Sequence, residues 1–302
     1  MKEFSTLKSF IDHFNTEEKC SKYLAQIRWG KNPVCPHCGN SEKIYLFQNG
    51  ITYKCGLCRK KFSVRLGTIL EDSKLSLQKW FIAFYLISSF KKGISSVQLG
   101  LVLGITQKSA WFILQRIQHI VNNGLTLEGE VEIDETYIGG KESNKHESKK
   151  IRVEGYSPDE KIPVIGMIEK KGRIKLEAVD KANKRTVAPI IRTSVSRFSE
   201  IHTDESCIYS YLDPKRHKSV NHSIGQYVNN GITTNNMEGG FAHFKRFLNG
   251  THHSVSRKHI QKYADMFCFR WNNKKENASV KVRYLVERLA NTNLTYQKLI
   301  HG

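Results

Sequence analysis

Four thiols and three carboxylates carry the chemistry that this sequence offers. Cys35-Pro-His-Cys38 and Cys55-Gly-Leu-Cys58 are separated by sixteen residues, 39 to 54. Two tight thiol-bearing turns, brought together by a hairpin, put four sulfurs at tetrahedral reach of one Zn²⁺. Gly39 and Gly56 supply the permissive backbone such turns need. His37 lies inside the first pair, but the regular spacing favours Cys35, Cys38, Cys55 and Cys58 as ligands. Redox-active pairs would want a thioredoxin-like βαβ setting, which the flanking pattern lacks. A four-coordinate site is closed, so this metal holds a fold and does not catalyse. Lys54, Arg59, Lys60, Lys61 and Arg65 surround it; a DNA-facing surface and a merely solvated basic rim both fit them.

The carboxylates are more scattered. Glu132, Asp134 and Thr136 share one face of the predicted strand VEIDETYI, with Val131 and Ile133 on the other. A carboxylate in an apolar strand is costly unless it is paired or binds a cation. Asp204 closes the predicted strand EIHTDES; capping a helix that starts at Ser206 is its plainer role. Glu238 lies on the helical stretch TTNNMEGGFAHFKRFL, and Lys245, seven residues later, shares its face. Taken singly, each acid is more often a solvated or capping residue. Their order weighs more. The second acid follows the first by 70 residues and the third follows by 34 more, on strand, strand end and helix. A ribonuclease-H-like sheet gathers three carboxylates at one edge in this way. Such hard oxygen donors suit Mg²⁺ or Mn²⁺, and two such ions about 4 Å apart promote in-line phosphoryl displacement.

The elements that must position these groups fall into segments. Residues 1–30 read as short helices, the second capped by Asn15 with Glu18 as its capping-box partner. Residues 31–72 form the zinc ribbon, with strands IYLF and ITYK around the Asn49-Gly50 turn. In residues 73–125, LSLQKWFIAFYLISSF is a nearly continuous apolar helix, buried on most sides. A helix, a turn at Gly104 and a second helix capped by Thr106 follow. The second helix exposes Gln107, Lys108, Ser109, Gln115 and Arg116 around an apolar set of Ala110, Ile113, Leu114 and Ile117. Two readings fit: a helix-turn-helix with Gln107, Lys108 and Arg116 at DNA, or an ordinary helical hairpin. The zinc module and the charge favour the first.

Residues 126–275 change to strands: VEIDETYI, then PVIGMIEK and RIKLEAVD as a hairpin around Lys171-Gly172. A helix at about 184–197, the strand EIHTDES and a strand near HKSVNHS come next, and helices return from about 234. The polar stretch 141–161 reads as a flexible insertion, and residues 276–302 as a helical tail. In the block around His252, His253 and His259 the spacing fits no usual metal site. Contact with phosphate or a DNA end suits His252, His253 and Lys258 better, and Arg246 joins them. Ile260, Tyr263, Phe267 and Trp271 follow helical spacing and belong to a core first. The fold class is α/β: a ribonuclease-H-like domain preceded by a small zinc ribbon and a helix-turn-helix region.

Composition bounds the partners. The chain has 302 residues, with 48 Lys and Arg against 28 Asp and Glu, a formal net charge of +20. Such an excess attracts polyanions, although charge alone also suits a basic protein with no nucleic acid to bind. No run approaches the roughly 20 apolar residues that span a bilayer, and the amino-terminal stretch lacks a secretion signal. Seven cysteines, four of them in CxxC pairs, point to a reducing compartment and to a metal rather than to disulfides. A cytoplasmic protein with no membrane partner is the expectation.

These blocks resemble the ISXO-like insertion-sequence transposases, the DDE group with an amino-terminal zinc ribbon. The resemblance covers almost the whole chain. It includes Cys20 with YLAQIRWG, CPHCG through YKCGLCRKKFSVRLGTILEDSKLSLQKWF, and KKGISSVQLGLVLGITQKSAWFILQRI. Further on it includes VEIDETYIGGK, HTDES, NNMEGGFAHFKR, NGTHHSVSRKH and FCFRWNN. The resemblance implies a ribonuclease-H-like fold with Asp134, Asp204 and Glu238 as catalytic acids and ligands of two Mg²⁺ or Mn²⁺. It implies Lys245 as a lysine that contacts a DNA phosphate. Some relatives use Asn as the third residue, so Asn235 and Asn236 compete with Glu238. Sharing a face with Lys245 and carrying charge for a metal favour Glu238. Gly239-Gly240 is a weak spot in the helix interior, with a late start or a kink as its consequence.

The expected activity is DNA 3′-end cleavage at terminal inverted repeats and strand transfer into target DNA. The work would fall to a dimer or larger assembly on double-stranded DNA, nucleoid-associated in a prokaryotic cell. Two rivals stand beside it: a DNA-binding regulator without catalysis, and a ribonuclease-H-like nuclease that cuts without joining.

Overall fold

Thr6 opens the first helix, α1 (Leu7–His13), by accepting a hydrogen bond from the Ser9 amide at 3.1 Å. The coordinates are a computed structural model that describes residues 4, 6–121, 124–139, 161–170, 172–220, 234–290, 292 and 294. The segment expected to be an insertion, 141–161, lies outside the described residues apart from Lys161. The chain divides into two units, one of residues 1–121 and 275–302, the other of 122–274.

In the first unit, α2 (Glu17–Trp29) is capped by Thr16, which accepts from the Lys19 amide. This corrects the expectation of Asn15: Thr16 is the extended residue directly before the first helical turn, and Asn15 instead accepts from the Lys19 ammonium. A three-stranded antiparallel sheet follows, β1 (Ile44–Leu46), β2 (Thr52–Cys55) and β3 (Lys61–Ser63). Asn49 makes the first turn by accepting from the amides of Ile51 and Thr52 at 3.0 Å, and Gly50 takes φ 64°. The third strand goes beyond the sequence expectation, since three residues are too few for an alternation to show. Tyr53 and Phe62 stack at 5.4 Å between ring centroids, with Trp29 edge-on to both. The Glu17 carboxylate accepts from Arg65 and from the Leu77 amide.

The next helix, α3 (Leu77–Ser89), is buried on most sides, as its apolar run predicts; Trp80, Phe81 and Phe84 are all within 1% of full burial. Two helices follow, α4 (Ser96–Leu103) and α5 (Gln107–Ile120), crossing at 111°. Gly104 turns the chain between them in the left-handed region, φ 59°. Gln107 and Lys108 are exposed at the start of α5. Gln115 is fully buried, against the expectation of exposure. The reason is that α3, α4 and the last helix among the described residues (Ala278–Ala290) all touch α5, so its buried arc is wider than one stripe. Arg116 is half-buried and donates to the carbonyls of Ile69 and Glu71 at 2.9 and 3.3 Å. Among the described residues no single helix is long and apolar enough to cross a membrane.

The second unit is built on a five-stranded sheet of β4 (Glu130–Ile138), β5 (Ile162–Glu169), β6 (Ile174–Ala178), β7 (Glu200–Asp204) and β8 (His217–Val220). Their spatial order is β6-β5-β4-β7-β8. The first three pair antiparallel, whereas β7 runs parallel to β4 and β8 parallel to β7. The crossover to β7 carries α6 (Lys184–Ser194), which buries Val187 and Ile191 on one sheet face against Val131, Ile133, Ile165 and Met167. The other face is covered by α7 (Asn235–Phe247) and α8 (Ile260–Asn272), whose Met237, Phe241, Phe244, Tyr263 and Phe267 pack on Val164, Ile168, Ile174 and Leu176. Ile260, Tyr263 and Phe267 are thus core residues, with Trp271 packed at their edge. Helices on both faces explain why β5 is apolar at nearly every position instead of alternating.

Candidate active site and metal centre

The ribbon brings its four thiols together. Cys35 Sγ lies 3.7 Å from Cys58 Sγ and Cys38 Sγ lies 3.6 Å from Cys55 Sγ. All four sulfurs fall within 4.8 Å of one another. Tetrahedral Zn–S bonds of about 2.3 Å put sulfurs roughly 3.8 Å apart, so the donor set and its dimensions fit a structural zinc ion. The Cys58 amide and the Asn40 side chain point N–H donors at Cys55 Sγ, 3.5 and 3.6 Å away. Led by that backbone donor, they pull the Cys55 thiol below its ordinary pKa, towards the thiolate that a metal needs.

In the second unit the carboxylates come in rows. Glu130 faces Glu200 and Glu132 faces His202 across the parallel pair β4–β7. Two residues further along each strand the same register leads to Asp134 and Asp204. Both lie at the carboxyl end of the parallel pair, on the side covered by α7. Asp134 is half-buried, and its Oδ1 accepts from the Glu135 amide at 2.8 Å. Burial pushes its carboxyl up to about 7; that amide opposes the shift, while the carboxylates of Glu135, Asp204 and Glu238 add to it. Asp204 Oδ1 accepts from the Ser206 amide at 3.2 Å, just before a single turn at Cys207–Tyr209. Glu238 stands exposed in the first turn of α7, where the helix dipole favours an anion. Among the described residues, only the four thiols form a ligand group as tight as 4.8 Å. The other two acids of the set, Asp204 and Glu238, are close enough to act on Asp134 electrostatically.

Comparison with protein families bears on both sites. Residues 126–272 match the model of the ISXO2-like transposase domain, and residues 15–61 match the transposase zinc-ribbon domain. The chain thus carries an ISXO2-like transposase domain behind a transposase zinc ribbon. A protein of the transposable element ISH50 from Halobacterium salinarum is 26% identical over 277 residues, 86% of this chain and 92% of that protein. The matched transposase domain contains Asp134, Asp204 and Glu238 and coincides closely with the second unit; the zinc-ribbon match contains the four cysteines.

Within the transposase domain, three residues that sequence reasoning does not assign to the site shape it. The Glu132 carboxylate is buried and accepts from the amides of Asn236 and Met237. Its Oε1 takes the Asn236 side chain at 2.6 Å. Burial raises its pKa, against those three donors and His202. On the opposite face Tyr209, fully buried, donates to Glu135 Oε2 at 2.6 Å. Gly166 faces Asp134 across β4–β5. A Cβ there would meet Met237 Cε and Phe241 Cζ at 2.6 Å, so its bare backbone lets α7 lie close. A glycine inside the apolar run PVIGMIEK is the signal for such close approach. Gly240 plays a similar part, since a Cβ there would come within 2.9 Å of Ile174 Cδ1. The glycine pair does not interrupt α7, which runs from Asn235 to Phe247.

Gly166→Ala should therefore push α7 outwards and cost about 1–3 kcal/mol of stability, typical of overpacking. A displacement of about 1 Å at a reacting centre costs on the order of a hundredfold in rate. Denaturant unfolding and a cleavage assay on the variant check both. Wild-type values for each would show that the approach of α7 is not tight.

Most of the remaining residues singled out in the sequence lie on the surface of this unit. Lys245 and Arg246 are exposed in the last turns of α7. His253 (φ 58°) and Lys258 are exposed in the loop that follows. The His252 ring is held edge-on between Phe247 and Tyr263, at 5.0 and 4.6 Å. Burial first, then Arg270 and His253, lowers its pKa to about 4. It is a neutral packing group at pH 7, and His253 presents the exposed ring.

Proposed function

We propose that this chain catalyses DNA 3′-end cleavage and strand transfer, with Asp134, Asp204 and Glu238 as the catalytic acids. The observation that carries the reading is their convergence from β4, β7 and the first turn of α7 on one end of the sheet. The site lies between β4 and β7, where the strand order reverses because β5 and β6 add on one side and β7 and β8 on the other, the usual place for a ligand crevice in an open α/β sheet. Three antiparallel strands continued by two parallel ones, with helices on both faces, support a ribonuclease-H-like fold. Glu238 is preferred to the asparagines because the Asn236 amide is bound to Glu132, whereas Glu238 acts electrostatically on Asp134.

The three carboxylates would hold two Mg²⁺ or Mn²⁺; hard oxygens from separate elements are the donors such ions take. Bound there, the ions would lower the pKa of the attacking oxygen and stabilise the leaving one. Asp134 and Asp204 fix the side of the crevice at which the scissile phosphate lies. Lys245, on the Glu238 face of α7, would hold a phosphate of the DNA backbone, and Arg246, His253 and Lys258 extend that basic surface. In the first step water displaces the 3′-oxygen at the element end. The freed 3′-hydroxyl then attacks a target phosphodiester and displaces its 3′-oxygen, which leaves as a new 3′-hydroxyl, with no covalent protein–DNA bond.

The zinc ribbon and the α4–α5 pair would recognise terminal inverted repeats. The 111° crossing suits a helix-turn-helix, with Gln107 and Lys108 of α5 at base edges. Arg116, tied to the carbonyls of Ile69 and Glu71, would support that helix from behind. Two element ends must be joined in one event, which calls for a homodimer or larger assembly on DNA, in the prokaryotic cytoplasm at the nucleoid.

A strand-transfer assay with a pre-cleaved element end and Mg²⁺ tests the reading. Joined product supports it. Cutting without joining would make the chain a nuclease, and binding alone a regulator. A pH series tests the metal assignment. Because burial raises Asp134 to about 7, a proton must leave when metal binds, so affinity should fall about tenfold per pH unit below 7 and level off above it. In the metal-free protein the same group favours folding only while protonated. That contribution is full below the unfolded value near about 4 and is lost as pH rises through 7. Mn²⁺ titrations between pH 5 and about 8 should show the slope, and its absence would count against Asp134 as a ligand.

A further inference from the structure

Helix α7 begins without a cap of its own. Thr234, at the N-cap position, makes no side-chain capping bond. The amides that such a side chain would satisfy are those of the second and third helical residues, here Asn236 and Met237. Both donate instead to Glu132 Oε2, at 2.9 and 3.1 Å, from a strand more than a hundred residues earlier. The second oxygen, Oε1, accepts from Asn236 Nδ2 at 2.6 Å. Glu132 is 3% exposed, and a carboxylate buried so deeply is costly unless its oxygens are matched. Three donors on two oxygens match it.

We infer that Glu132 is a positioning residue that docks the first turn of α7 on β4 and so holds Glu238 opposite Asp134. Glu132 and Asp134 are two residues apart on one face of β4, and Glu238 directly follows Met237, whose amide Glu132 grips. One side chain therefore sets the offset between two acids that arrive from distant parts of the sequence. Gly166 fixes the depth at which α7 lies on the sheet, and Glu132 fixes the position of its end. The inference rests on the proposed metal-binding role of the acids. It adds to that role a group that touches neither metal nor DNA.

The test compares Glu132→Ala, Glu132→Gln, Asn236→Ala and a control, Val187→Ala, in the full-length protein. Val187 is buried against the opposite face of the sheet, so the control loosens the core without touching α7. Two quantities are read: Mn²⁺ affinity, and hydrogen exchange of the amides at 236–238. Loss of a group that orients ligands typically costs about 10–100-fold in metal affinity. Glu132→Ala should lose that much and expose the first-turn amides to exchange. Glu132→Gln keeps two acceptor lone pairs for the backbone amides and should recover most of the loss. Asn236→Ala, at an exposed position, should lose only a few-fold. Mn²⁺ affinity in Glu132→Ala no lower than in the control, or unchanged exchange at 236–238, would overturn the inference. Failure of the wild-type chain to join DNA would sink the transposition reading but leave these two readouts decisive. Failure of the wild type to take up Mn²⁺ would sink both.

Discussion

Replacing Asp134 by asparagine is expected to lower DNA-end cleavage and strand transfer by about a thousandfold or more, with folding and DNA binding retained. Bound divalent ions stabilise the charge of a phosphoryl transition state by several kcal/mol, and each 1.4 kcal/mol or so is a factor of about ten in rate. Asparagine keeps the shape and the oxygen that accepts from the Glu135 amide, so backbone geometry survives. It removes the negative charge, and with it a carboxyl whose burial is unfavourable when ionised. The metal-free variant should consequently be no less stable than the wild type at pH 8 or thereabouts. Thermal unfolding without metal, together with strand transfer on a pre-cleaved end, checks the two halves. An Asp134→Asn protein that still joins DNA at a tenth of the wild-type rate would remove this residue from the catalytic set. A variant that is inactive because it has unfolded would leave the question to Asp204→Asn.

The second large effect concerns the ribbon. Stripping zinc, or replacing Cys55 by serine, should unfold the segment around β1–β3 while the second unit keeps its structure. The three strands have three, four and three residues, and their buried apolar support is little more than Tyr53, Phe62 and Val64. Domains below roughly 40 residues rarely hold together on a core of that size without a metal or disulfide. Structural Zn²⁺ contributes about 10–16 kcal/mol of apparent binding free energy in small zinc-finger peptides, far more than this core can replace. Hydrogen exchange should show β1–β3 losing protection on chelation and β4–β5 retaining it. Element-end binding should weaken in parallel if the ribbon reads DNA. Unchanged exchange at Tyr53 and Phe62 after complete removal of metal would mean that the aromatic packing with Trp29 suffices alone.

Much of the molecule is legible from residues alone, for identifiable reasons. The CxxC pairs can be read because zinc imposes a short, rigid spacing on its ligands. The strands of the second unit can be read because apolar runs bounded by turns repeat through it. Gln115 defeats the pattern because a helix touched from three directions keeps only a narrow exposed edge, whereas hydrophobic periodicity assumes a full polar stripe. The cap at Thr16 differs from the expected one by a single residue because Asn15 and Thr16 are both good capping types, and only the backbone conformation separates them.

The sequence by itself determined the kinds of chemistry available: a thiol set for one ion, three acids in order, and a basic chain suited to DNA. Those are local properties, set by residue type and by spacing along the chain. Tertiary structure decided what the acids can do together. The register of β4 on β7, with Glu132 opposite His202, carries Asp134 and Asp204 to the same end of the sheet, Gly166 lets α7 come close, and Glu132 catches its first turn. None of these follows from spacing, because each joins groups between about seventy and a hundred residues apart, and only the folded sheet brings them together.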